Sequence, residues 1–416
     1  MPKHSQQAQP FDKFETAKKI NTLTLAFAKA VAQNQADKSD NLVVSPYNAL
    51  TCLSMVAEGA AGNTRQEMAH TLFDAGSKNL DKEVADLAQL NTDILAANQG
   101  QVELKTANGV WTNKELMTLN QKYATDLQKI FGAQISEEDF SDPTVPGKIN
   151  AWAAQNTNNL IPAIVDRLDA SDSSVSASAL YFKGKWTHQF DKKETEERGF
   201  TADGGAESLT PTMHKFFKED QIQYQNGTDY EAVALTYGQE SDEKSPTMRL
   251  VLVRPKDESI SARDWLTQQA GDAAPAWLKT HYSGSVQGTV ELPRLDIKQK
   301  HDLIPALKDM GIRDAFTSAA DFSPMTAQSA KLCISGVSHD VVFKTDEEGS
   351  EAAAVTTVRM RFTSVAPSPQ TIDVKFDRSF VFALQDISSG AVIFAGAVNK
   401  PNGDMKPAAK GPKPGI

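Results

Sequence analysis

Asp346-Glu347-Glu348-Gly349-Ser350-Glu351-Ala352-Ala353-Ala354-Val355-Thr356-Thr357-Val358-Arg359-Met360-Arg361-Phe362-Thr363-Ser364-Val365-Ala366-Pro367 is the stretch that decides the fold. Taken in steps of two, Ser350, Ala352, Ala354, Thr356, Val358 and Met360 form one face, uncharged, small at its start and apolar further on. Glu351, Ala353, Val355, Thr357, Arg359 and Arg361 form the other, which holds every charge of that run. Side chains alternate across a strand, so this is the pattern of a strand with one face against a core. Small residues at its start would let such a strand slide between two neighbours without steric clash. An ordinary amphipathic strand shares the alternation. The length without a turn signal, and the proline-containing loop that follows directly, set this segment apart.

Toward the C-terminus, residues 380–384 and 391–398 are near-continuous apolar runs, joined by the hairpin signature Asp386-Ile387-Ser388-Ser389-Gly390. Continuous apolarity predicts strands covered on both faces. Residues 249–253 make a further apolar strand stopped by Pro255, and Val110-Trp111 belongs to another. Toward the N-terminus the period becomes helical. Ile20, Leu23, Phe27 and Ala30 place a helix over about residues 14–31. Ser45-Pro46 opens a second helix, because serine caps and proline fits a first turn where its missing N–H costs nothing. Leu50, Leu53 and Ala57 line its apolar stripe and Gly59 ends it. Thr64-Arg65-Gln66-Glu67 has the form of a capping box and predicts a third helix carrying Met68 and Leu72.

Helix and strand signals interleave, no long-period repeat occurs, and no Pro/Gly/Ser-rich linker interrupts residues 11–400. The reading is one mixed α/β (α+β) domain over residues 1–401, followed by a flexible Pro-, Gly- and Lys-rich tail at 402–416.

The chain has 416 residues, of which 40% are hydrophobic, enough for a large core. Lys and Arg number 43 against 53 Asp and Glu, a net charge of −10, with no dense basic stripe, so no nucleic-acid partner is expected. No apolar run approaches about 18 residues, so no membrane partner is expected either. Cys52 and Cys333 are too few for a disulfide scaffold; one long-range bridge is open to them, and two buried free thiols are the favoured reading. Met1 to Pro10 is polar and holds no apolar signal stretch. Two compartments therefore stay open: secreted or periplasmic if a signal peptide has been removed, cytoplasmic otherwise.

Enzyme signatures are missing. None of His4, His70, His188, His214, His281, His301 and His339 sits in a paired zinc motif, and there is no nucleophile elbow. Phe182-Lys183-Gly184-Lys185-Trp186 ends like a phosphate loop, but Ala179 and Trp186 replace the glycine and hydroxyl residue such a loop needs. No catalytic residue, metal or cofactor is expected.

The run Glu347, Glu348, Gly349, Ser350, Glu351, Ala352, Ala353, Ala354 resembles the hinge of a serpin reactive-centre loop. Further blocks resemble the same family: Asn41 to Pro46, Ala179 to Trp186, Leu292 to Leu295, Asp302-Leu303 with Met310 to Ile312, Phe380 to Phe382 and Phe394 to Gly396. They stand in family order over roughly residues 11–401. The resemblance implies the serpin fold, about nine helices around three β-sheets, with an exposed loop at about 347–371 that adds to a sheet as a strand. It implies a monomeric covalent suicide inhibitor whose partner is a target serine protease. Attack on the loop forms an acyl-enzyme, and insertion then distorts the protease before deacylation. The alternative within the family is a non-inhibitory carrier or chaperone, which the small residues of the hinge argue against.

Counting Glu347 as the seventeenth residue before the scissile bond places that bond at Thr363-Ser364, since 363 − 347 + 1 = 17. Thr363 would suit elastase- or subtilisin-like proteases. The competitors are Phe362, for a chymotrypsin-like pocket, and Arg361, for a trypsin-like one. By the same resemblance Trp186 and Arg294 belong to the "breach", where insertion starts, with Arg294 facing Glu347. Ser45, Asn48, Ser178 and His339 belong to the "shutter", where the sheet opens. Asn48 and Ser178 stand exchanged relative to many serpins, so a polar network with donor and acceptor roles swapped is expected. The stretch matching the polyanion-binding helix carries Lys78 and Lys82 against Asp81, Glu83, Asp86 and Asp93, so no heparin activation is expected.

Overall fold

The computed structural model describes residues 10–241, 244–271, 275–279, 286–326, 332–349 and 369–402. Helix α1 (Lys13–Asn34) starts at Asp12, whose carboxylate accepts from the amides of Phe14 and Glu15. After strand β1 (Leu42–Val44), Ser45 caps α2 (Pro46–Glu58) by accepting from the Asn48 amide, and Gly59 ends it, as the sequence predicts. Then follow α3 (Gly62–Phe73), α4 (Leu80–Asn98), β2 (Glu103–Asn113), α5 (Gln121–Phe131), β3 (Gln134–Glu138), α6 (Val145–Asn156) and β4 (Ser174–Lys183). Strands β5 (Glu196–Thr201), β6 (Glu207–Phe217), β7 (Gln223–Asn226), β8 (Tyr230–Tyr237) and β9 (Met248–Pro255) precede α7 (Ala262–Gln268). The chain continues through β10 (Val286–Pro293), β11 (Leu295–Asp302), α8 (Ile304–Met310), β12 (Ser338–Thr345), β13 (Gln370–Lys375), β14 (Phe380–Asp386) and β15 (Val392–Val398).

The expected capping box does not form. Helix α3 begins three residues earlier than that motif would allow, and Thr64 lies inside it. The Thr64 hydroxyl accepts instead from the Asp321 amide, and the Glu67 carboxylate from the amides of Arg313 and Asp314. Backbone donors some 250 positions away thus take both side chains.

A six-stranded antiparallel sheet runs β1-β15-β14-β9-β8-β7, and every residue of β14 and β15 is buried, as continuous apolarity predicts. In the turn between these two strands, the Asp386 carboxylate accepts from the Ser389 amide and Gly390 takes φ +80°. A second sheet runs β13-β10-β6-β5. The remaining strands form two groups, β3-β2-β4 and β11-β12. Among the described residues, β4 and β12 share no ladder, so three expected sheets become four hydrogen-bonded groups alongside eight α-helices. Helix α2 packs on both β4 and β15 and ties the open edge of one group to the central sheet. Both cysteines are free, but only Cys52 is partly buried; Cys333 is exposed, contrary to expectation.

Candidate functional site

Strands β4 and β12 flank a cavity of about 610 Å³, lined by Leu180, Tyr181 and Phe182 on one side and by Val342, Phe343 and Thr345 on the other, with Phe394 of β15 also in the lining. Its upper rim carries Lys192, Arg294, Asp346, Glu347 and Gly349.

At that rim the chain leaving β12 reverses. The Asp346 amide donates to the Gly349 carbonyl at 2.9 Å and the Gly349 amide to the Asp346 carbonyl at 3.1 Å. The Asp346 carboxylate accepts from the Glu348 amide at 3.0 Å. Gly349 has φ +106°, and a Cβ there would lie 2.3 Å from the Gly184 carbonyl oxygen and 2.6 Å from the Trp186 nitrogen. Any other residue is excluded both by conformation and by main-chain contact. Gly349 is bridged antiparallel to Lys185, just past β4, and to Asp346, just past β12. It therefore stands between the extensions of the two strands that flank the cavity.

Glu347 is almost fully buried, 1% exposed. Arg294, in the link from β10 to β11, reaches one of its carboxylate oxygens through Nη2 at 2.7 Å and Nε at 2.8 Å, and the Thr195 hydroxyl donates to the same oxygen. Burial pushes the Glu347 carboxyl up, but hydrogen bonds from Arg294 and Thr195 outweigh it and hold the group below its ordinary value. Trp186 is buried, stacked on Tyr237 with centroids 4.2 Å apart. It also donates twice to the turn: Nε1 to the Asp346 carbonyl at 2.7 Å and its amide to the Glu348 carbonyl at 3.1 Å. The Phe190 amide donates to the Glu347 carbonyl at 3.0 Å, and Lys192 pairs with the Glu348 carboxylate.

A second cluster lies lower, around the start of α2. His339 of β12 is buried, and its Nε2 accepts from the Ser45 amide at 2.9 Å. The Ser45 hydroxyl donates to the Ile393 carbonyl at 2.7 Å. Asn48 Nδ2 donates to the main-chain carbonyl of Ser178 at 2.9 Å, so Ser178 contributes its backbone rather than the side chain expected of an exchanged pair. Burial and the neighbouring His301 push the His339 imidazole down to about 3. His301 is opposite His339 in the β11–β12 register, stacks on it and donates through Nε2 to the Val43 carbonyl. Four residues are thereby joined to one cluster: Ser45, Asn48, Ser178 and His339.

Sequence reasoning missed Thr195, Phe190, Lys192, Tyr237 and His301. None of them carries a local sequence signal; His301, for one, meets His339 only once β11 pairs with β12. Of the expected hinge, Ser350, Glu351, Ala352, Ala353 and Ala354 lie outside the described residues, as do the bond candidates Thr363, Ser364, Phe362 and Arg361.

A family model described as Serpin (serine protease inhibitor) matches residues 18–401. The chain is a serpin. Among curated relatives, Serpin-Z3 of Arabidopsis thaliana is 27% identical over 398 residues, covering 92% of this chain and 97% of that protein. A serine protease inhibitor of Cyanea capillata is 30% identical over 400 residues, covering 91% and 97%. Among solved structures, the thermophilic serpin tengpin in its native state superposes with a TM-score of 0.77 at 24% identity, covering 95% of this serpin and 96% of that chain. Human thyroxine-binding globulin superposes with a TM-score of 0.78 at 22% identity, covering 94% and 99%. At these identities the structural likeness speaks for the fold. Serpins are typically protease inhibitors rather than catalytic enzymes, and this chain has the serpin fold, mixed α/β.

Proposed function

We propose that this serpin is an inhibitor of serine proteases that acts as a covalent suicide substrate and adds its reactive-centre loop as a strand between β4 and β12. The observation that carries the reading is Gly349, bridged to the extensions of both strands at the rim of the cavity that separates them. A strand continuing from that residue would gain ladder hydrogen bonds on two sides, and its small inward residues Ser350, Ala352 and Ala354 would enter without clash. Trp186, Arg294 and Glu347 then serve as the point where insertion starts. Ser45, Asn48, Ser178 and His339 serve as the region that must part. The bait bond is Thr363-Ser364, which directs the inhibitor to elastase- or subtilisin-like proteases, with Phe362 and Arg361 as the competing bait residues.

Incubation with elastase, subtilisin, chymotrypsin and trypsin, followed by denaturing electrophoresis, tests this. A covalent band with one of them is expected, together with a released piece Ser364–Ile416 of 416 − 364 + 1 = 53 residues by mass spectrometry. A piece starting at Thr363 or Phe362 would move the bait to Phe362 or Arg361. Clean cleavage by every protease without a band would favour the second reading, a carrier, to which the likeness to a globulin solved with thyroxine bound also points.

A further inference from the structure

The turn at 346–349 is held from one side by a single loop, residues 186–195, and two acid–base contacts grip its two glutamates differently. Glu347 is the inner one, 1% exposed and paired with Arg294. Glu348 is the outer one, paired with Lys192, whose side chain is 60% exposed. Lys192 sits in a single helical turn, residues 192–194, anchored by the Asp191 carboxylate on the Lys193 amide. The same loop supplies the Trp186 and Phe190 amides to the carbonyls of Glu348 and Glu347. Lys192 thus closes the outside of a cradle whose inside is made of the Trp186 and Phe190 amides together with the side chains of Trp186, Thr195 and Arg294, and Gly349 follows directly upon the residue it grips.

We propose that Lys192 is a positioning residue: its ion pair with Glu348 holds Gly349 in register between β4 and β12, so that loop insertion starts from a preformed first rung. The inference rests on the inhibitory reading but adds something that reading does not contain, a salt-sensitive contact on the insertion step. The outer pair is the more open of the two, with Lys192 and Glu348 60% and 18% exposed against 40% and 1% for Arg294 and Glu347, and exposed charges are screened once the Debye length falls to a few ångströms. The outer latch therefore loosens with salt more than the inner clamp. A part-exposed ion pair is worth little in free energy, so the expected effect is about two- to fivefold. That is enough to matter where insertion competes with deacylation.

The test uses the full chain as wild type, Lys192→Ala and Lys192→Arg. Hydrogen exchange by mass spectrometry follows the peptides covering 186–190 and 346–349 at about 0.01 M and about 1 M NaCl, where screening runs from long to short range. In the wild type, exchange should quicken about two- to fivefold at high salt. Lys192→Ala should exchange at the high-salt rate under both conditions, and Lys192→Arg should restore the wild-type response. With a protease that is trapped, Lys192→Ala should also consume more inhibitor per trapped enzyme at low salt, and the wild type should approach it at high salt. Exchange in Lys192→Ala equal to wild type at both salts would overturn the proposal. Because the exchange readout needs no protease, the two claims separate. A salt-responsive latch in a protein that traps nothing refutes the inhibitory reading alone. Trapping with no change in exchange refutes the latch alone.

Discussion

The pair at the top of the cleft gives an asymmetric prediction. Glu347 is 1% exposed, while the Arg294 side chain is 40% exposed. Arg294→Ala leaves a buried carboxylate with only the Thr195 hydroxyl and its own backbone amide for company. Breaking a buried pair in this way costs about 3–5 kcal/mol, and the partial exposure of Arg294 puts this case at the low end, about 3 kcal/mol. Glu347→Ala removes the buried charge instead and leaves a guanidinium that can turn toward water, which should cost about 1 kcal/mol. Every 1.4 kcal/mol is a tenfold change in the population of an opened state. Arg294→Ala should therefore populate the opened cleft about a hundredfold more than wild type, and Glu347→Ala about fivefold. Conversion to polymer or to an inserted monomer, followed on native gels during mild warming, should accelerate in that order. The reasoning fails if the two variants convert at the same rate, if Glu347→Ala is the faster, or if neither departs from wild type.

Gly349→Ala should be as damaging as a charge deletion although it adds one methyl group: the left-handed conformation costs about 1–3 kcal/mol, and the added Cβ would press on the Gly184 carbonyl at 2.3 Å. Measured against a trapped protease, it should shift the outcome toward cleaved, uncomplexed inhibitor; unchanged trapping would show that the turn is not needed. Ser350→Arg puts a charge on the uncharged face of the sequence alternation, which the proposed insertion would bury at a cost of several kcal/mol per ion, and should convert the inhibitor to a substrate cut at the same bond. Glu351→Arg, on the charged face of that alternation, should be far milder, and equal inhibition by both variants would remove loop insertion from the mechanism. His339, pushed down to about 3 from an ordinary value of 6.5, contributes stability that is complete above pH 6.5 and is lost as pH falls toward 3. The slope approaches about 1.4 kcal/mol per pH unit. His339→Gln keeps an acceptor for the Ser45 amide but does not titrate, so urea midpoints measured between pH 7 and 5 should flatten, and an undiminished slope would assign the acid sensitivity elsewhere.

The elements that were legible in the sequence are those made by neighbours three or four residues apart or by alternation along one strand. Helix α1 follows its apolar stripe, α2 its Ser45-Pro46 cap and Gly59 stop, and the β14–β15 hairpin its two apolar runs and the Gly390 turn. The blocks that carry the family resemblance also set Arg294 opposite Glu347, and the two side chains meet at 2.7 Å. Features set by pairing across long separations were not legible. Thr64 and Glu67 have the local form of a capping box, yet amides at 313–321 claim them, because a free backbone donor at close range outweighs a cap the helix can do without. His301 becomes a neighbour of His339 only through the β11–β12 register. Lys192 meets Glu348 across 156 positions, and nothing in a charged stretch such as Asp191 to Arg198 distinguishes that lysine from Lys193. The division between β4 and β12 was equally hidden. Hydrophobic patterning says which face of a strand is buried, but which strands share hydrogen bonds is decided by how α2, β15 and the turn at Gly349 pack around them.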